Sequence, residues 1–227
     1  MKPYLKNNRT NEVGRGTVRR LHEHDLDEIM RVQQDAVSAI QDTATYVPST
    51  RADVLRMLDC GEMHGMFADG ALCGVCGVLP SANAEDLGAE IGLDEAQRRA
   101  AVNLECYFVA RDYRGNGIAR ELARLCVERA QTALGARQVL ATVSPRNIPS
   151  LLTLMSLNGF RIRAMRQLYG CKLRYVLCCE IQSERLYTYY ERFSVYDVYG
   201  ISRALSQGYE GIAIFKSGEE IFVWLAK

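Results

Sequence analysis

Apolar residues along this chain switch repeatedly between a spacing of two and a spacing near 3.6, and each switch marks an element. Val18 to Leu21 reads as a first strand. Asp25 with Glu28 three residues on forms a helix-start signal, and Leu26, Ile29, Gln33, Ala36 and Ile40 then share one helical face. Thr50 with Asp53 opens a second helix, which Gly61 stops. Met63 to Ala68 and Leu72 to Val78 are two strands about the turn Ala68-Asp69-Gly70, and Leu104 to Val109 is a third. From Gly117 a helical spacing runs through Leu122 and Cys126 to Gly135. Gln138 to Val143 is a strand, Asn147 to Leu157 a short helix ended by Asn158-Gly159, and Phe160 to Leu168 pairs with Leu173 to Ile181 about Gly170. Beyond Gln182, the spacing predicts a helix within Ser194 to Gln207 and a hairpin of Ile212 to Phe215 with Ile221 to Leu225, Trp224 lying on one face.

The turn between the third strand and the helix from Gly117 carries the chemistry. Arg114, Gly115 and Gly117 lie where a strand bends into a helix start, so free N–H groups and the positive end of the helix dipole converge on one spot suited to phosphate. A dinucleotide fingerprint is excluded because its third glycine would fall on Arg120. A Walker loop is excluded because no lysine occurs between Lys6 and Lys172. What remains is Arg-x-x-Gly-x-Ala at Arg114, Gly117 and Ala119.

With that motif the chain resembles the GNAT superfamily of acetyl-CoA-dependent N-acetyltransferases, as a bacterial-type member with a C-terminal extension. The order strand, two helices, three strands, helix, strand, helix, two strands over residues 17 to 182 matches the family, and Asn147 to Gly159-Phe160 resembles its second signature. The resemblance implies an α/β (α+β) fold, with a central mixed, mostly antiparallel twisted sheet flanked by helices, to which this chain adds a C-terminal helix and β-hairpin. It implies acetyl-CoA as co-substrate, no metal, and direct transfer in a ternary complex to a primary amine of a small molecule or peptide. The cofactor contacts would be Phe108, Val109, Arg114, Gly115, Asn116, Gly117, Ile118, Ala119 and Asn147. The strand carrying Phe108 would be bulged and splayed from Gln138 to Val143, leaving backbone groups for the pantetheine arm and the thioester carbonyl. Asn147 reads equally as a plain helix cap.

Glu105 stands inside a strand otherwise built of Leu104, Cys106, Tyr107, Phe108 and Val109. By resemblance it is the general base that takes the ammonium proton; the residues alone also allow a carboxylate on a wetter sheet face, paired with an arginine. One departure stands out. Family members often carry a tyrosine where this chain has Met155, which cannot protonate a departing thiolate, and Tyr107 and Tyr169 are the phenols placed to substitute. A non-catalytic acyl-CoA-binding sensor or interaction module therefore stays open beside the enzyme.

Composition narrows the setting. The 227 residues at 48% hydrophobic content give enough core to fold unaided. A formal charge of +1 offers no general attraction to nucleic acid or anionic membrane, and no apolar run reaches the ~18 residues of a membrane span. The eight cysteines read as reduced thiols of a cytoplasmic protein, Cys73 facing away from Cys76 and Cys178 away from Cys179. Residues 1–16 read as a mobile leader, 17–182 as the acetyltransferase domain and 183–227 as an extension docked on it. The extension is too small to stand alone, so it should cover the sheet edge near Leu173 to Ile181 or a partner chain, which leaves a homodimer open. Glu85, Asp86, Glu90, Asp94 and Glu95 in the long connection from Pro80 to Ala101 suggest a cationic acceptor or a solvated helix face.

Overall fold

The computed structural model describes residues 4–181 and 185–227. In chain order the elements are β1 (Tyr4–Lys6), β2 (Val13–Arg20), α1 (Leu26–Ser38), α2 (Arg51–Cys60), β3 (Glu62–Ala68), β4 (Ala71–Pro80), α3 (Leu87–Glu90), α4 (Glu95–Arg99) and β5 (Ala101–Val109). There follow α5 (Ile118–Leu134), β6 (Gln138–Val143), α6 (Ile148–Met155), β7 (Phe160–Leu168), β8 (Lys172–Glu180), β9 (Tyr190–Ser194), α7 (Val198–Ser206), β10 (Glu210–Ser217) and β11 (Glu220–Ala226). The strands join in the order β1-β2-β3-β4-β5-β6-β8-β7-β10-β11-β9. Every pairing is antiparallel except β5 with β6. The architecture is the mixed, mostly antiparallel sheet with flanking helices that the resemblance implied, extended at its C-terminal side.

The middle strands are apolar on both faces because both faces are covered. All seven residues of β3 are buried. On one face α5, α6 and α7 pack Leu122, Cys126, Leu151, Leu154 and Ile201 against Val78, Val139 and Tyr175. On the other, α1 and α2 pack Ile29, Val32, Val54 and Met57 against Met63, Val75 and Phe108, and a smaller cluster of Leu87, Leu140, Val176 and Cys178 continues that side. The start of α5 lies so close to β4 that a Cβ at Gly74 would sit 2.5 Å from Ile118 Cγ2. That contact fixes where the helix begins.

Several expectations are corrected. Residues 4–16 are not a mobile leader: β1 pairs with β2, and Leu5 is buried in the main core. The start of α1 is not a box of Asp25 with Glu28. Asp25 accepts the His22 N–H at 2.9 Å and pairs with Arg19 at 2.6 Å, while Glu28 accepts from the Leu72 N–H at 3.1 Å. The box of Thr50 with Asp53 does form. Cys73 and Cys76 join the same core cluster, because a bulge sets Leu72 to Gly74 against Met66 and Phe67 and offsets the alternation. Cys178 and Cys179 do lie in opposite clusters.

The extension adds β9, which alternation had not suggested, and it meets the sheet at β7 through Gly211 opposite Ile162. It does not meet β8, because β8 inserts between β6 and β7 and has no free edge. Val195, Ile201, Val223 and Leu225 are fully buried in the main core. The boundary expected at residues 182 and 183 lies outside the described residues.

Candidate active site

The parallel pair β5–β6 opens partway along its length. Its register holds from Ala101–Gln138 to Asn103–Leu140 and stops there. Three residues further, Cys106 takes a left-handed φ of 51°, and the four residues of β5 from Glu105 to Phe108 oppose the three of β4 from Gly77 to Val75. This bulge turns β5 from β6 while β4 still pairs with Phe108 and Val109. The other backbone edge of residues 105–109 therefore faces a cleft of about 1270 Å³.

At one end of the cleft lies the turn into α5. Gly115 and Gly117 have φ of 81° and 79°, and no atom lies within 4 Å of where a Cβ would stand on either. The glycines are required by dihedral angle and leave open space in front of the turn. Gly117 is the N-cap of α5 and supplies no side-chain acceptor, so the first-turn N–H groups keep their donors for an anion. Gly115, Gly117, Ile118 and Ala119 line the cleft, as do Phe108, Val109 and Arg114. Asn116 does not. Its side chain bonds the backbone of Lys6 in both directions, at 2.9 and 2.8 Å, and the Tyr113 carbonyl at 2.9 Å. Arg114 donates to the Ala36 carbonyl at 2.8 Å, which ties the turn to the end of α1. Asn147 caps α6 through its side-chain oxygen, which accepts from the Ser150 N–H at 3.3 Å, and it also lines the cleft.

Glu105 is half-buried on the cleft wall. Burial pushes its carboxyl up to about 7; the Asn103 side chain pulls the other way, and the charges of Asp53 and Glu85 push further up. It has no arginine partner among the described residues, so the paired-carboxylate alternative is not what the structure holds. Met155, the last residue of α6, is buried in the main core. Tyr107 points to that same side, and burial pushes its phenol upward. The hydroxyl is buried beside Thr153 without a well-formed hydrogen bond. Tyr169, pushed up to about 12 by burial, shares a 3.2 Å hydrogen bond with Thr142.

Sequence reasoning missed part of the far wall. Tyr46, Asp53, Arg56 and Arg174 line it, from the link between α1 and α2, from α2 itself and from β8. Arg56 and Arg174 carry no motif, and strand order brings Arg174 of β8 to the cleft. Of the five acidic residues named in the connection from Pro80 to Ala101, Glu85 alone lines the cleft. Asp86 pairs with Arg98, Glu90 with Arg166 and Glu95 with Arg99, and Asp94 caps α4. Three of these carboxylates are thus paired with arginines, two of them with Arg98 and Arg99 of the connection itself and one with Arg166 of β7.

This arrangement joins an uncapped helix start, a splayed parallel pair and a cleft carboxylate. A family model described as an acetyltransferase (GNAT) domain matches residues 15–161, more than half of the chain. The chain belongs to the GNAT superfamily. Solved structures with GNAT-like folds overlay most of it. YncA of Salmonella typhimurium, solved with its cofactor acetyl-CoA, matches at 15% identity and TM-score 0.56, over 75% of this chain and 96% of that one. The ribosomal-protein-S18-alanine N-acetyltransferase of Escherichia coli matches at 15% identity and TM-score 0.54, over 76% and 99%. An aminoglycoside acetyltransferase solved with coenzyme A and kanamycin matches at 17% identity and TM-score 0.55, over 74% and 95%. At these identities the likeness concerns the GNAT fold. No curated protein matches the chain. Among the described residues no helix is long and apolar enough to cross a membrane, and no cluster of His, Cys, Asp and Glu could hold a metal.

Proposed function

We propose that the protein transfers an acetyl group from acetyl-CoA to a primary amine of a small molecule or peptide, by direct attack in a ternary complex. The observation that carries this reading is that one cleft joins the uncapped start of α5, the unpaired edge of β5 and Glu105. The first turn of α5, with Gly115 and Gly117, fits a pyrophosphate, and the β5 edge at Phe108 and Val109 fits the amide groups of a pantetheine arm. The thioester supplies the acyl group with a thiolate as leaving group.

The remaining chemistry falls to side chains and backbone. An acceptor amine is mostly protonated at neutral pH and must lose a proton before it attacks. A carboxyl held at about 7 suits that task, because it is substantially ionised at neutral pH and is still basic enough to accept the proton. A backbone N–H of the splayed β5 polarises the thioester carbonyl and steadies the oxyanion that forms there. Tyr107 is our choice for the proton that meets the thiolate. Its hydroxyl is buried, unengaged and on the side of Met155, whereas the Tyr169 hydroxyl is held by Thr142.

A second reading, an acyl-CoA-binding module without turnover, draws on Met155, which leaves α6 with no proton donor at that place. A panel of primary amines incubated with acetyl-CoA decides between them. Products are followed by mass, because eight cysteines would confuse a thiol dye. Acetylated amine is expected; acetyl-CoA binding with no acetylated product across the panel would leave the binding module.

A further inference from the structure

Arg174 is the most deeply buried charge at the cleft, with 3% of its surface exposed. Buried charges are ordinarily paired, since burying a lone ion costs several kcal/mol. Arg174 is not paired. Its guanidinium donates to two backbone carbonyls, Leu173 at 3.0 Å and Ala44 at 3.0 Å, and no carboxylate among the described residues forms an ion pair with it. The neighbouring acids are engaged elsewhere: Asp42 with Arg146 at 3.0 Å, and Asp53 with Thr50 and with Arg56 at 2.7 Å. Two carbonyls occupy two of five N–H groups and neutralise none of the charge.

The register places this cation relative to Glu105. Asn103 lies beside Leu140 in β5–β6, and Thr142 opposite Val176 in β6–β8. Glu105, Thr142 and Arg174 each stand two residues along from members of that set, so all three point to the same sheet face. Tyr169 lies between, its phenol feeling the charges of both Glu105 and Arg174.

We infer that Arg174 receives a carboxylate of the acceptor while the acceptor's amine reaches Glu105. The substrate class is then an amine that also bears a carboxylate, as in an amino acid. A planar carboxylate matches the guanidinium fork and supplies the missing counter-charge. This inference rests on the acetyl-transfer reading and narrows it.

The test compares α-amino acids with their amides as acceptors, in the parent, Arg174→Gln and Arg174→Lys. The parent should favour the acids. Arg174→Gln should lower kcat/KM for the acids by about 10- to 100-fold, mostly through KM, and leave the amides unchanged; Arg174→Lys should restore part. Equal use of acid and amide by the parent, or an equal loss for both in Arg174→Gln, would overturn the assignment and mark the residue as a strut for Ala44. Should Arg174→Gln not fold, the parent's preference alone decides. A thermal-shift series with N-acetyl amino acids and their amides, in the presence of coenzyme A, separates the two readings. A carboxylate-selective shift without any turnover sustains the Arg174 site and removes the transferase. Turnover with no selectivity in either readout does the reverse.

Discussion

Replacing Glu105 by glutamine keeps the shape of the side chain and removes its charge and basicity. In the parent, burial holds this carboxyl at about 7 against an ordinary 4.5. The folded protein therefore binds this proton more tightly than the unfolded chain. The resulting stability is fully present below about pH 4.5 and is lost as the pH rises through about 7. At ~1.4 kcal/mol per unit the whole shift is worth ~3 kcal/mol, which solvent reaching a half-buried group through the cleft reduces to ~1–2 kcal/mol. For a protein of this size ~1 kcal/mol moves Tm by ~2–4 °C. Calorimetry of both proteins at steps between about pH 4.5 and 8.5 should thus show Glu105→Gln gaining roughly 2–8 °C on the parent as the pH rises. Turnover should fall by about 10- to 1000-fold with little change in acetyl-CoA affinity, and the acidic limb of the parent's rate profile should flatten in the variant. Tm curves that stay parallel across this range would show the carboxylate to be solvated. Parental turnover by the variant between about pH 6 and 9 would show that Glu105 accepts no proton in the reaction.

Three further outcomes follow. Acetyl-CoA should raise the Tm of the parent and not that of Gly117→Asp, which sets a negative charge before the open first turn of α5; equal rises would remove the turn from cofactor binding. Tyr107→Phe should lower turnover by about tenfold or more without weakening acetyl-CoA binding, and the loss should shrink with thioesters of more acidic thiols; a uniform loss would assign the phenol to packing. Deleting residues 195–227 should give a less soluble protein of lower Tm, because it strips Val195, Ile201, Val223 and Leu225 from the shared core, and a soluble truncation as heat-resistant as the parent would contradict that packing.

What the sequence disclosed followed from how local each signal is. The turn from Arg114 to Ala119 was legible because a strand, two glycines and a helix start are contiguous, and most strands and helices from Val18 to Ile181 were legible from spacing with cap and turn residues, though not the short helix Leu87–Glu90. The β5 bulge entered through family resemblance, since nothing in Glu105-Cys106-Tyr107 spells a left-handed φ at a cysteine. Arg174 was invisible because its place at the cleft depends on strand order across the sheet. The start of α1 was placed correctly at Asp25, but no box with Glu28 forms, because Asp25 and Glu28 have other partners, Arg19 across a turn and the Leu72 N–H on β4. Alternation failed at Cys73 for the same reason that it failed at Cys106. A bulge shifts every later side chain to the other face.

The first strand has a consequence that reaches well beyond its three residues. Lys6 is bonded in both directions to Asn116, Asn8 donates to the carbonyls of Asp112 and Arg114, and Arg9 pairs with Asp112. A glycine-rich turn left to itself would sample many conformations, and a ligand that needs one of them would bear the entropy of selecting it. Here that entropy is surrendered when the chain folds, by residues roughly a hundred positions upstream that do not line the cleft. On the proposed function, part of the affinity for the cofactor's phosphates would be stored in the N-terminal strand and the turn after it, and natural variation there would tune binding without altering any group that meets the ligand.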